Sequence, residues 1–277
     1  KKKMNQFNLS DSNYIRYIEK GEGPNLLLLH TIRNRIEYYE KVLPLLTKKF
    51  KVFCVELPGH GDSPINKKTN YNIEFITNSI IEFIDQKQLE DITIAGESIG
   101  AVLASTVAIK IPSKVEKIYC FNPYDYDTKF GEGVSRGNLI SKILFLHMRL
   151  PFGIGYFFSK LECFPILWVI FRGGVFKKKS ILKSYISSLA RSIRKKHFTY
   201  HERNIFFNFI LSPKKKEIYN NLKTDVHLIY GEHDWSNNLE REETMKLLGL
   251  NSFEVMKDTG HFSFLESPMK VAELIKA

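Results

Sequence analysis

Three cysteines in 277 residues, Cys54, Cys120 and Cys163, are too few and too widely spread for a disulfide framework. No Cys/His spacing matches a metal site, so reduced, buried thiols and no metal are expected. No apolar run is long enough to span a bilayer, because Arg149, Pro151, Lys160, Glu162 and Pro165 interrupt the longest stretches. Internal repeats and low-complexity linkers are missing. So is any nucleic-acid module: aromatic residues group with aliphatics rather than interleaving with basic ones, which argues against a nucleic-acid partner. Acidic residues are scarce in one region. From Tyr124 to Ile218 there are 18 Lys/Arg against 6 Asp/Glu, so this segment carries +12 and the remainder −1 of the chain's net +11.

What is present suits one large α/β domain with an insertion: 43% hydrophobic and 13% aromatic residues in a chain of this length. Asn13–Ile18 alternates like a half-exposed strand. Asn25–His30 contains the run Leu26–Leu29, typical of a strand buried on both faces. Glu37–Leu46 reads as helical, 50–56 as the next strand and Asn72–Ile84 as an amphipathic helix. Strands alternating with helices predict a mostly parallel sheet with helices on both faces. The chain starts at Lys1 rather than Met, which leaves open a preceding targeting or anchor segment. The expected location is cytoplasmic, with peripheral membrane contact as a further expectation.

The chain is organised around 91–104, an apolar strand, a sharp turn carrying Ser98 between Gly96 and Gly100, and a helix. Small residues on both sides allow a turn that aims the Ser98 hydroxyl outward beside the free N–H groups of a helix N-terminus, where negative charge develops in acyl transfer. Two later strands deliver the groups that such a hydroxyl needs. Val226–Gly231 ends near Asp234, and the loop after 252–256 carries His261. In a doubly wound sheet both positions fall at the carboxyl edge with Ser98. Serine is a poor nucleophile until histidine takes its proton, and a carboxylate fixes that imidazole's tautomer. Asp125 and Asp127, after the strand 117–121, are alternative acids.

Five pieces in this order carry a resemblance: Leu29-His30, 57–63 (LPGHGDS), 96–100 (GESIG), 230–234 (YGEHD) and 260–262 (GHF). The chain resembles the α/β-hydrolase superfamily from about residue 13 to the C-terminus, outside the insertion. The resemblance implies Ser98 as nucleophile, Asp234 as acid and His261 as base, with no cofactor or metal. It also implies an oxyanion hole built from the N–H groups of Ile32 and Ile99. Here the sequence departs from the family, whose usual His-Gly is His30-Thr31, so Thr31 is an alternative donor. Arg33, Arg35 and Trp235 are candidate substrate-binding residues. Relatives that remove halogens carry aspartate where Ser98 stands.

The implied architecture is an α/β-hydrolase core, 1–123 and 219–277, with a mainly helical cap, 124–218, inserted between the sixth and seventh strands. The cap's apolar runs bordered by lysine clusters suit a greasy wall for an acyl chain. They also suit an anionic membrane surface, with Lys177–Lys179 attracting it and Trp168 and Phe171 entering it. The expected activity is hydrolysis of an ester with an apolar acyl part, of the carboxylesterase, lipase or lysophospholipase kind. Thioester, carbon–carbon and peptide cleavage, acyl transfer and ligand binding without catalysis stay open, because a triad does not choose among them.

Overall fold

A computed structural model describes residues 4–10, 13–126, 133–151, 153–210 and 215–277, without the side chains of Ile210 and Lys215. Within these, eight strands form one sheet: β1 (Asn5–Asn8), β2 (Tyr14–Lys20), β3 (Asn25–Leu29), β4 (Lys51–Val55), β5 (Ile92–Glu97), β6 (Val115–Phe121), β7 (Asp225–Gly231) and β8 (Glu254–Met256). Their spatial order is β1-β2-β4-β3-β5-β6-β7-β8. The pairs β1–β2 and β2–β4 are antiparallel, and all the others are parallel. Order and direction are those of the α/β-hydrolase fold that the sequence predicts.

Strand burial follows from composition. Leu26–Leu29 are wholly buried in β3, flanked by β4 and β5, and β5 is buried along its whole length. Apolar side chains on both faces require helices on both faces, and two of them flank the sequence hub. Helix α1 (Ile73–Gln86) starts where the Asn72 side chain accepts from Phe75 N–H, a cap of the type that stabilises a helix start by about 1 kcal/mol. Helix α2 (Ile99–Lys110) follows β5 directly and is buried nearly all round, as its Ala/Val/Leu composition demands.

Three local expectations need correction. The helix read over Glu37–Leu46 is two separate turns, Ile36–Tyr39 and Leu43–Leu46, with Pro44 at the start of the second. Proline lacks the N–H that a continuous helix would use there. The strand β1 was not foreseen, because four mostly polar residues give no apolar pattern. Cys54 and Cys120 are buried thiols, but Cys163 is exposed just before a helix of the insertion.

Between β6 and β7 the described chain is helical: α3 (Leu139–Met148), α4 (Ile154–Lys160), α5 (Phe164–Gly173), α6 (Lys183–Ser192) and α7 (Phe198–Ile205) are its longer pieces. Among the described residues no single helix is long and apolar enough to cross a membrane; α4 and α5 meet at a 90° bend. Phe171, expected to enter a membrane, is buried and stacks on Phe262 at 4.7 Å. Trp168 is half-buried and stacks on Phe164.

Candidate active site

Ser98 occupies the turn between β5 and α2 with φ of 60° and ψ of −122°. Left-handed φ is costly for a residue with a Cβ, so the surroundings must hold it. They do: Ser98 N–H donates to the Phe121 carbonyl at 2.9 Å. The two flanking glycines are required by space. A Cβ on Gly96 would lie 2.1 Å from the Gly100 carbonyl oxygen, and one on Gly100 would lie 2.1 Å from that of Leu29. Strand and helix can pack this closely only with hydrogen at both positions.

The structure brings Ser98, His261 and Asp234 together. Ser98 Oγ lies 2.9 Å from His261 Nε2, and His261 Nδ1 lies 2.5 Å from Asp234 Oδ1. All three are buried. Burial alone would raise the Asp234 pKa, but the charge and hydrogen bond of His261 and two bonds from Ser236 outweigh it and hold it below the usual carboxylate range. The Asp234 carboxyl therefore stays ionised against the imidazole. Asp125 is also buried, but its Oδ2 accepts from the hydroxyls of Tyr219 and Thr244, each at 2.9 Å, while Asp234 occupies His261 Nδ1. Asp127 lies outside the described residues.

Several positioning groups escaped the sequence reading. Asn122, directly after β6, donates to the His261 carbonyl at 2.9 Å and to Ser263 Oγ at 2.7 Å, and accepts from Gly231 N–H. It thereby ties the loop carrying His261 to the end of β7, three residues before Asp234. Glu97, between Gly96 and Ser98, is fully buried and accepts from Tyr38 OH and from Ser263 N–H. Burial pushes its pKa up to about 8, against those two bonds. Arg241 grips Ser236 and the Gly231 carbonyl, so it fixes the turn holding Asp234. The visible signals were a polar residue at a strand's carboxyl end and an acid in an otherwise apolar strand.

A small cavity of about 50 Å³ opens above Ser98, bordered by Thr31, Ile32, Ile99 and His261 and walled by Val134, Phe145, Ile170, Phe171 and Phe262. Trp235 also borders it and stacks on the His261 ring at 3.9 Å, with its Nε1–H on the Gly173 carbonyl. Ile99 is the first residue of α2, so its N–H has no carbonyl within the helix to bond. The His30-Thr31 turn is shaped by His30: its Nε2 accepts from Leu57 N–H, which leaves Nδ1–H to donate to the Thr31 carbonyl. Burial lowers the His30 pKa to about 4, so this neutral tautomer persists.

The two arginines need correction as substrate ligands. Arg33 borders the cavity, but its guanidinium pairs with Glu162 at 2.6 Å and with Glu202, and lies over the Phe145 ring. It has φ of 59°, so the left-handed residue of this turn is Arg33, pinned by two carboxylates of the insertion. Arg35 does not border the cavity; it is spent on Glu37, Asp62, the Ser188 carbonyl and Ser192. Glu232, His233 and Asp258 offer ligand atoms near one another, but they are exposed, and such groups are common without a metal.

If the oxyanion donors are backbone N–H groups alone, Thr31→Ser and Thr31→Val should both retain turnover within about threefold. A loss of about a hundredfold in kcat confined to Thr31→Val would add the hydroxyl as a donor, since one such donor is commonly worth that much.

Comparison with known proteins agrees with the fold. A family model described as the alpha/beta hydrolase fold matches residues 24–138. A pimeloyl-[acyl-carrier protein] methyl ester esterase of Aeromonas hydrophila is 26% identical over 98 residues, 35% of this chain and 37% of the esterase, so the match spans well under half of that relative. Human epoxide hydrolase 4 is 24% identical over 95% of this chain and 74% of its own length. Among solved structures, Cfl2 from Burkholderia cenocepacia superposes with a TM-score of 0.84 at 16% identity, covering 99% of this chain and 94% of that one.

Proposed function

The chain belongs to the α/β-hydrolase superfamily, and from that premise we propose that it is a serine hydrolase cleaving esters with an apolar acyl part through an acyl-enzyme. The observation that carries this reading is the hydrogen-bonded chain Ser98–His261–Asp234 at the floor of an apolar cavity. His261 Nε2 takes the Ser98 proton as Oγ attacks the carbonyl, and Asp234 stabilises the imidazolium. Negative charge on the carbonyl oxygen meets the N–H groups of Ile99 and Ile32. The imidazolium then protonates the leaving alcohol, and water activated by His261 frees the acid.

Substrate class follows from the walls. Ile, Val and Phe side chains offer nothing to a charged acyl group, and both nearby arginines are already paired. The apolar walls favour an uncharged acyl chain over a charged one. The methyl ester esterase named above acts on an ester of an acyl chain, which agrees with this reading without fixing the substrate.

A series of p-nitrophenyl esters from acetyl to palmitoyl tests it. Each methylene buried is worth about 0.8 kcal/mol, so kcat/KM should rise roughly fourfold per carbon until the cavity is full, then level or fall. A flat series would remove the apolar acyl pocket from the reading. Failure of a fluorophosphonate to label Ser98 would remove the hydrolase and favour a ligand-binding protein.

A further inference from the structure

The insertion hides one face and exposes another. Helix α3 turns Leu144, Phe145 and Met148 inward, and Phe145 walls the catalytic cavity. Its opposite side carries Leu139, Ile143, Leu146 and, one turn on, Leu150, at the spacing of a single helical stripe. Leu139 is 70% exposed. Helix α4 packs against α3 and adds Ile154, Phe157 and Leu161, again one stripe, with Phe157 57% exposed. His147 of α3 stacks on Phe158 of α4 at 4.6 Å, and Phe158 meets Phe157 edge to face, so the two stripes join across the groove. Single exposed apolar residues need no explanation, but a run of large ones on two adjoining helices marks a surface that something covers.

Charge says what covers it. Between Gly133 and His201 the sequence holds thirteen Lys/Arg and one acid, Glu162, whose carboxylate is buried on Arg33. Lys142 and Lys160 flank the stripes and are exposed. An apolar face on short helices, bordered by cations and without exposed acids, has the composition of an element lying in the headgroup region of an anionic bilayer. We infer that the α3–α4 face docks on an anionic membrane surface, with Leu139, Ile143 and Phe157 inserted and Lys142 and Lys160 at the phosphates. This replaces the expected insertion of Phe171, which the structure buries. Because the inner side of α3 walls the cavity, docking sets the active-site roof against the lipid.

Sedimentation of the full chain with extruded vesicles tests this and does not depend on hydrolysis, so it fails or stands apart from the serine hydrolase reading. Binding to vesicles containing phosphatidylglycerol should be at least about tenfold tighter than to phosphatidylcholine alone, and should weaken towards 1 M salt, where the screening length falls to about 3 Å. The pair Leu139→Asp with Phe157→Asp, both already in water, should lower binding by about tenfold or more while the melting temperature and hydrolysis of a soluble short ester stay unchanged. Lys142→Glu with Lys160→Glu should abolish the preference for the anionic lipid. Wild-type binding by both double variants, equal binding to the two vesicle types, or none to either would overturn the inference. So would a concentration-dependent dimer that Leu139→Asp with Phe157→Asp dissolves without any vesicle binding, since a second copy would then cover the face.

Discussion

Ser98→Ala should lose about a million-fold in kcat on the best ester of the series, the size of loss seen when the nucleophile of a serine triad is removed. The expectation rests on how little else the substitution disturbs. Ser98 keeps its strained backbone through its own N–H on the Phe121 carbonyl, and alanine retains that bond and the same Cβ. Gly96 and Gly100 keep the close strand–helix contact. What disappears is the hydroxyl 2.9 Å from His261 Nε2. The Ile99 and Ile32 N–H groups and the apolar cavity remain, so KM should change by no more than a few-fold while turnover collapses. Turnover above about a hundredth of wild type, with an unchanged melting temperature, would mean that Ser98 is not the nucleophile.

The parts of this arrangement that were legible in the sequence are those written in short windows. Leu26–Leu29 reads as a doubly buried strand, and Gly96 and Gly100 around Ser98, set between an apolar strand and a helix, read as a tight turn. What was not legible depends on partners far away. Arg33 reads as a free cation near the site because its acceptors stand far along the chain, Glu202 169 residues away. For Arg35 the nearest acceptor, Glu37, is two residues away, but Asp62 and the Ser188 carbonyl that complete its shell stand far off. The same holds for Asn122, which serves a loop 139 residues on. Removing one member of such a buried ion pair commonly costs about 3–5 kcal/mol. Arg33 is thus better understood as a pin holding the Thr31-Ile32 turn to the insertion than as a substrate ligand.

The insertion shows a second limit. Its apolar runs were plain, but a sequence of large apolar residues does not say which side of a helix meets water. Phe171 and Leu139 are equally apolar as letters, yet one stacks against Phe262 at the cavity and the other is 70% exposed. Only packing of α5 against the core and of α3 against α4 separates them.

Asp234→Asn should cost roughly ten-thousand-fold in kcat, as expected when a triad histidine is held in the wrong tautomer. The bonds around the side chain say why. Oδ2 accepts from the N–H and the hydroxyl of Ser236, and Arg241 holds Ser236 in place. An asparagine there must turn its amide oxygen to those two donors. Its NH2 then faces His261 Nδ1, which can accept only if the ring proton moves to Nε2. A protonated Nε2 donates to Ser98 Oγ and has no lone pair left to take the serine proton. The loss should persist across neutral pH, because raising pH removes no proton from the neutral ring. Asp125→Asn gives the contrast: its Oδ2 serves Tyr219 and Thr244, so it should lower the melting temperature while kcat stays within a few-fold. If Asp125→Asn instead inactivates the protein and Asp234→Asn leaves kcat near wild type, the acid of the triad is Asp125.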